Sequence, residues 1–127
     1  MFEKGGSPLA WQSKNFVSWE EIEEFLSEAK DLIGKQKFRF VNRKEYKDVI
    51  PRLGIKPKFE ILLLSPEDYI KGPCPDRDKK RKGKVWSFVK EREEGEKPIY
   101  IKLKVEDGFC KCLSMHPPRF PYHFPHK

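Results

Sequence analysis

No run of about 18 apolar residues occurs in the 127-residue chain, so nothing in it reads as a membrane-spanning helix. Met1–Pro8 lacks the apolar core of a signal peptide. Cysteine is scarce. Three residues, an odd number, do not make a disulfide framework, and the expectation is a reducing cytoplasm. Histidine is equally scarce, with three residues (His116, His123 and His126), so few side chains titrate near neutral pH unaided.

What the chain has instead is charge. Asp, Glu, Lys and Arg make up 37% of it, well above the roughly 25% of an ordinary soluble domain. Lys and Glu supply most of the excess, which suits a thermophile as well as a nucleic-acid binder. The net charge of +7 and a pI near 9.3 tilt the balance towards anionic partners, because thermophile enrichment adds both signs. The charge is also uneven. Residues 18–31 carry Glu20, Glu21, Glu23, Glu24, Glu28 and Asp31 against Lys30. Residues 76–90 carry Arg77, Lys79, Lys80, Arg81, Lys82, Lys84 and Lys90 against Asp76 and Asp78. A chain polarised in this way can offer one face to RNA and another to a partner.

The length suits one domain, and an aromatic share of 13%, with ten Phe, suffices for its core. Residues 1–17 show no period and contain Gly5-Gly6-Ser7-Pro8, which predicts a flexible N-terminal arm before a single domain over 18–127. Ser18-Trp19-Glu20-Glu21 spells a capping box. Ile22, Phe25, Leu26, Ala29 and Ile33 follow at helical spacing, with Gly34 placed to end the helix. Lys37–Val41 alternates and predicts a short strand. Asn42-Arg43-Lys44-Glu45 is a second cap, for a helix through Tyr46, Val49, Ile50 and Leu53 that Pro51 should end or bend. The apolar segment Phe59–Leu64 suits a buried strand by composition, but Pro57 at a first-turn position favours a helix. Ser65-Pro66-Glu67-Asp68 caps one further turn, and Gly72–Asp78 is a cluster of breakers.

Three strand patterns close the chain, over 85–91, 99–105 and 109–115, the last two joined by the hairpin signature Asp107-Gly108. They predict an antiparallel meander joined at one edge by the earlier strand and packed against the N-terminal helices. The expected fold is therefore an α+β two-layer sandwich with a small antiparallel sheet. On the middle strand Ile99, Ile101, Leu103 and Val105 share one face, while Tyr100, Lys102 and Lys104 share the other. A phenol and two ammonium groups beside His116 form a face suited to a phosphodiester.

Four blocks carry a resemblance: Leu64–Asp78, Val85-Trp86-Ser87-Phe88, Ile99–Val105 and Cys112–Pro117. Together, over about residues 38–125, they resemble the MqsR family, toxins of bacterial type II toxin–antitoxin systems related in fold to the RelE-like ribonucleases. The resemblance implies an mRNA interferase that cuts RNA without a metal or cofactor and is held inactive by a cognate antitoxin. It also implies four functional positions. Lys71 fills the lysine after the Ser-x-x-Asp-Tyr turn, and Tyr100 fills the strand tyrosine. Ser87 stands where a glutamine is usual, and His116 replaces a lysine.

Metal-free cleavage proceeds by attack of the 2′-OH on its own phosphate. It needs a base, an acid for the leaving oxygen and cations for the developing charge. His116 is the natural acid or base, Tyr100 a proton donor or phosphate anchor, and Lys71, Lys102 and Arg119 stabilise charge. Lys104 extends the cationic face, and Arg77, Lys79, Lys80, Arg81, Lys82 and Lys84 would clamp phosphates. The plainer alternatives are a strand-end histidine, a packed tyrosine and solvated lysines on a non-catalytic RNA- or ribosome-binding module. Cys110, Cys112 and His116, at i, i+2 and i+6 on a regular strand, also pose a zinc alternative, although the spacing is not that of a finger and two buried cysteines are the better default.

Overall fold

The structure, a computed structural model, describes residues 17–41, 49–75 and 83–127. The arm over 1–16, the cap at Asn42-Arg43-Lys44-Glu45 and the cationic run from Arg77 to Lys82 lie outside the described residues. Val17, placed in the arm by sequence, packs against the core.

Helix α1 (Trp19–Gly34) begins at the capping box. The Ser18 hydroxyl accepts the Glu21 N–H at 3.1 Å, and the Glu21 carboxylate accepts the Ser18 N–H at 3.2 Å. Ile22, Phe25, Leu26, Ala29 and Ile33 all turn inward, as their spacing predicts. The helix ends after Gly34, but the left-handed residue beyond it is Gln36, at φ 65°.

The short strand β1 spans Phe38–Phe40, and helix α2 spans Val49–Leu53 with Pro51 within it. Helix α3 (Pro57–Leu62) begins on its proline, so the apolar segment is a helix and not a strand. It buries Ile61 and leaves Phe59 and Leu62 exposed. The Lys30 ammonium reaches across from α1 to the Leu64 carbonyl at 2.6 Å and fixes the end of α3 to the first helix.

A 3-10 turn (Pro66–Asp68), capped by the Asp68 carboxylate on the Ser65 N–H at 2.9 Å, delivers the chain into β2 (Tyr69–Pro75). Strands β3 (Lys84–Lys90), β4 (Ile99–Glu106) and β5 (Phe109–His116) follow. The β4–β5 turn has φ 55° at Asp107 and 76° at Gly108, the paired positive values of a type I′ hairpin.

Among the described residues the strands form one open sheet in the order β1-β5-β4-β3-β2. The fold is α+β, with two departures from expectation. First, the sheet is mixed, because β1 joins β5 in parallel, pairing Phe38 with Cys110 and Phe40 with Cys112. Second, Tyr69–Pro75 is a fifth strand where the sequence predicts the end of a turn, to Lys71, and then breakers from Gly72. Its glycine and prolines are tolerated because it lies at the sheet edge, paired to β3 alone, with two register shifts along it.

The core fills the space between the helices and one sheet face, where Phe88, Ile99, Ile101, Leu103, Cys110, Cys112 and Met115 are fully buried. Each large apolar side chain there contributes roughly 1.5–3 kcal/mol. Phe25 of α1 stacks on Trp86 of β3 at 4.6 Å between ring centroids. The opposite sheet face carries Ser87, Tyr100, Lys102, Lys104, Ser114 and His116, and Phe120 of the C-terminal segment lies against Tyr100 there.

Candidate functional site

The register of the sheet sets four side chains in a row. Lys71 of β2 pairs with Ser87 of β3, Ser87 with Lys102 of β4, and Lys102 with Ser114 of β5. Because directly paired residues face the same way, this is one rung of ammonium, hydroxyl, ammonium and hydroxyl, with about 4.8 Å between successive strands. Tyr100 lies two residues from Lys102 on the same face. Its hydroxyl is 3.2 Å from the Ser87 Oγ, and both residues are buried.

The Lys71, Ser87 and Lys102 members of the rung face a cleft of about 420 Å³. Lys71, Ser87, Tyr100 and Lys102 line it, with Cys74, Leu113 and Phe120 among its apolar walls. Lys71 is exposed and Lys102 half-buried, so two ammonium groups flank a buried pair of hydroxyls.

Local structure explains why Lys71 reaches this row. The register of β2 shifts on both sides of it, between Tyr69 and Lys71 and again between Lys71 and Cys74. Gly72 makes the second shift possible. Its φ is +117°, and a Cβ there would lie 2.6 Å from the Val85 carbonyl oxygen, so only glycine lets β2 run this close to β3. The Tyr69 hydroxyl, whose pKa burial pushes up, donates to the Gly72 carbonyl and pins the same segment from the core side.

His116 pairs with Tyr100 and therefore shares its face. The rings lie 5.3 Å apart, but His116 is only 5% exposed and does not join the lining of the cleft. Its Nδ1 is 2.7 Å from the Pro117 carbonyl oxygen. A carbonyl only accepts, so Nδ1 carries a proton, and in the neutral ring Nε2 is the acceptor. Phe120 meets Tyr100 edge-on at 5.2 Å and forms the outer wall above it.

The other residues expected at the site are dispersed. Lys104 shares the face of Tyr100 and Lys102 but is fully buried, its ammonium 3.2 Å from Glu106. Lys111 holds the same carboxylate at 2.8 Å. These two bonds, that of Lys111 first, keep the Glu106 carboxyl below the usual range. Lys84 lies on the helix side of the sheet, in a groove with Glu21, Glu24, Glu28 and Trp86. Arg119 is exposed in the C-terminal segment beside Phe120. Arg77, Lys79, Lys80, Arg81 and Lys82 lie outside the described residues.

The zinc alternative fails on strand geometry. Lys102 pairs with Ser114 but Leu103 pairs with Cys112, so Leu113 is an extra residue on β5. That bulge leaves Cys110 and Cys112 in the core and turns His116 to the opposite face. Burial pushes the Cys110 thiol up to about 12 and raises Cys112 as well, so both stay protonated. No group of three or more His, Cys, Asp or Glu suited to a metal occurs among the described residues.

Sequence reasoning missed Ser114, Cys74 and Phe120. Only the strand register could have found the first. The aromatic tail was a signal for Phe120, which sits where the segment after Pro117-Pro118 passes over the sheet. No helix among the described residues is long and apolar enough to cross a membrane. In comparison with known proteins, the chain matches no family model, no curated protein and no solved structure.

Proposed function

We propose that this chain is a metal-independent endoribonuclease, an mRNA interferase of the RelE-like, MqsR-like kind, acting in the cytoplasm and neutralised by a cognate antitoxin. The observation that carries the proposal is the rung. Lys71, Ser87 and Lys102, from three strands, meet in one cleft with the Tyr100 hydroxyl on Ser87. A phosphodiester seated there has an ammonium on either side and a phenol at its centre.

In this reading the substrate 2′-OH attacks its own phosphorus, and its proton passes to a base. The P–O5′ bond breaks, and the leaving 5′ oxygen takes up a proton, giving a 2′,3′-cyclic phosphate and a 5′-OH. Lys71 and Lys102 stabilise the extra negative charge on the phosphoryl oxygens. Tyr100, its hydroxyl 3.2 Å from the Ser87 Oγ, is the proton donor of the cleft, and His116, its ring 5.3 Å from that of Tyr100, is the proton-transfer group behind it.

The test is incubation of the purified chain with a defined RNA in excess EDTA, followed by end-group analysis. Cyclic phosphate ends, lost about a hundredfold or more in Tyr100→Phe or His116→Ala proteins that remain folded by circular dichroism, are the expected result. Intact RNA refutes cleavage of free RNA.

A second reading, a non-catalytic RNA- or ribosome-binding module, is favoured by the burial of His116 outside the cleft lining. It predicts intact RNA together with salt-sensitive binding that weakens in Lys71→Ala and Lys102→Ala.

A further inference from the structure

Exposed large apolar side chains are concentrated in one place. Of the four among the described residues, Phe59, Leu62 and Leu63 fall at α3 and its end, exposed by 62%, 40% and 59%. A six-residue helix that buries only Ile61 against the core has no folding reason to carry apolar groups on its outer side. Phe59 and Leu62, with Pro57 of α3 and Phe38 of β1, line a groove of about 430 Å³.

Among the described residues the charged groups on that lining are cationic. Lys56 and Lys58 stand at the groove, and the Lys58 ammonium lies 5.9 Å from the centre of the Phe38 ring. Among the described residues no carboxylate joins the lining. The groove is thus an apolar floor with a positive rim, whereas α1 carries the acidic surface.

Its backbone setting suits a polypeptide. Among the described residues β1 has β5 as its one strand neighbour. Lys37 and Val41 direct their backbone groups to β5, through the Lys37 carbonyl to Cys110 N and Val41 N to the Cys112 carbonyl. By the alternation of a parallel ladder, the N–H and C=O groups of Phe38 and Phe40 point away from β5.

We infer that the groove between α3 and β1 is a docking site for an acidic protein segment with apolar anchor residues. Its apolar side chains would cover Phe59 and Leu62, and its carboxylates would meet Lys56 and Lys58. The site stands at the β1 edge of the sheet, whereas Lys71 and Cys74 of the cleft belong to β2 at the other edge. An occupant therefore leaves the cleft open. The inference does not rest on the proposed ribonuclease activity.

The experiment uses the full chain and two fluorescein-labelled probe peptides in which Leu and Phe alternate with Glu in one and with Lys in the other. By anisotropy the acidic peptide binds saturably, and the lysine peptide binds at least about tenfold more weakly. Phe59→Ser and Lys58→Glu, both at exposed positions, each weaken the acidic peptide about tenfold or more. The bound peptide leaves the rate of thiol labelling at Cys74 unchanged.

No saturable binding, equal binding of the two peptides, or binding indifferent to Phe59→Ser overturns the inference. Slowed Cys74 labelling places the peptide in the cleft and overturns it too. Sedimentation of the chain alone and peptide anisotropy with a Trp11→Ser variant supply the remaining outcomes. Self-association abolished by Phe59→Ser assigns the groove to a second copy. Peptide binding that emerges only in Trp11→Ser assigns it to the chain's own residues 1–16. Either result replaces the proposed occupant.

Discussion

Replacing Glu106 with glutamine removes the carboxylate that holds the buried Lys104 ammonium at 3.2 Å and Lys111 at 2.8 Å, with almost no change in volume. Lys104 has no exposed surface, and a Cβ at Gly83 would lie 3.7 Å from its Cδ, so the chain there closes over its stem. Breaking a buried ion pair from one side costs roughly 3–5 kcal/mol, because a charge stays behind in a low dielectric. Glu106 keeps 12% of its side chain exposed, which puts the loss at the low end, about 3 kcal/mol. At about 2.1 cal/mol/K of unfolding entropy per residue, a chain of 127 residues then loses about 11 °C of Tm.

The pH dependence has a definite sign. The Glu106 carboxyl is held below its usual value, by Lys111 first and then by Lys104. Its contribution is therefore full above the unfolded carboxyl value of about 4.3 and is lost as pH falls through the folded one. The Tm gap between the wild type and Glu106→Gln is widest at neutral pH and closes in acid. Lys104→Met keeps the stem and removes the charge, so the double variant Lys104→Met/Glu106→Gln regains at least half of the lost Tm. Scanning calorimetry of the four proteins at pH 7 and near pH 3 reads all of this. A loss under about 3 °C at pH 7, or a double variant no more stable than Glu106→Gln, refutes the reasoning.

Other consequences are open to simpler assays. Gly72→Ala forces a Cβ to within 2.6 Å of the Val85 carbonyl at φ +117°, so β2 must move away from β3; a lowered Tm and faster amide exchange along 69–75 are expected, and an unchanged Tm refutes the close approach. At neutral pH a thiol reagent modifies Cys74 alone, because burial keeps Cys110 and Cys112 as thiols; mass spectrometry showing a second adduct on the native protein counts against that core placement. Tyr100→Phe takes away the partner of the Ser87 Oγ and costs stability by about 1 kcal/mol, read by urea titration. Phe120→Ala opens the outer wall of the cleft and speeds Cys74 labelling, whereas an unchanged rate means that Phe120 does not guard it.

Local chemistry made much of this fold legible. The Ser18–Glu21 box, Pro57 at a helix start and the Asp107-Gly108 turn each depend on residues a few positions apart, and each formed as read. Strand β2 was hidden because Gly72, Pro73 and Pro75 oppose strand structure by propensity, and only an edge position with register shifts accommodates them. The parallel pairing of β1 with β5 is a long-range choice that no local pattern encodes. At the site, alternation placed Tyr100 and Lys102 on one face, but the same rule carried past Leu113 puts Cys112 and His116 together. A single bulge separates them. Burial was the other blind spot, since nothing in the pattern of β4 distinguishes the enclosed Lys104 from the half-exposed Lys102.

Because β1 has β5 as its one strand neighbour among the described residues, the Phe38–Cys110 pairing must close a loop that contains most of the domain. The meander of β3, β4 and β5, made from neighbouring segments, can form early, and β1 is expected to join it late. Late-joining elements are also those that open first in the native state. The α3–β1 groove spans this seam, with Phe38 on one side and Phe59 on the other. A segment bound across it would therefore act as a latch on the slowest closure of the fold, raising the stability of the whole domain in proportion to the logarithm of its concentration.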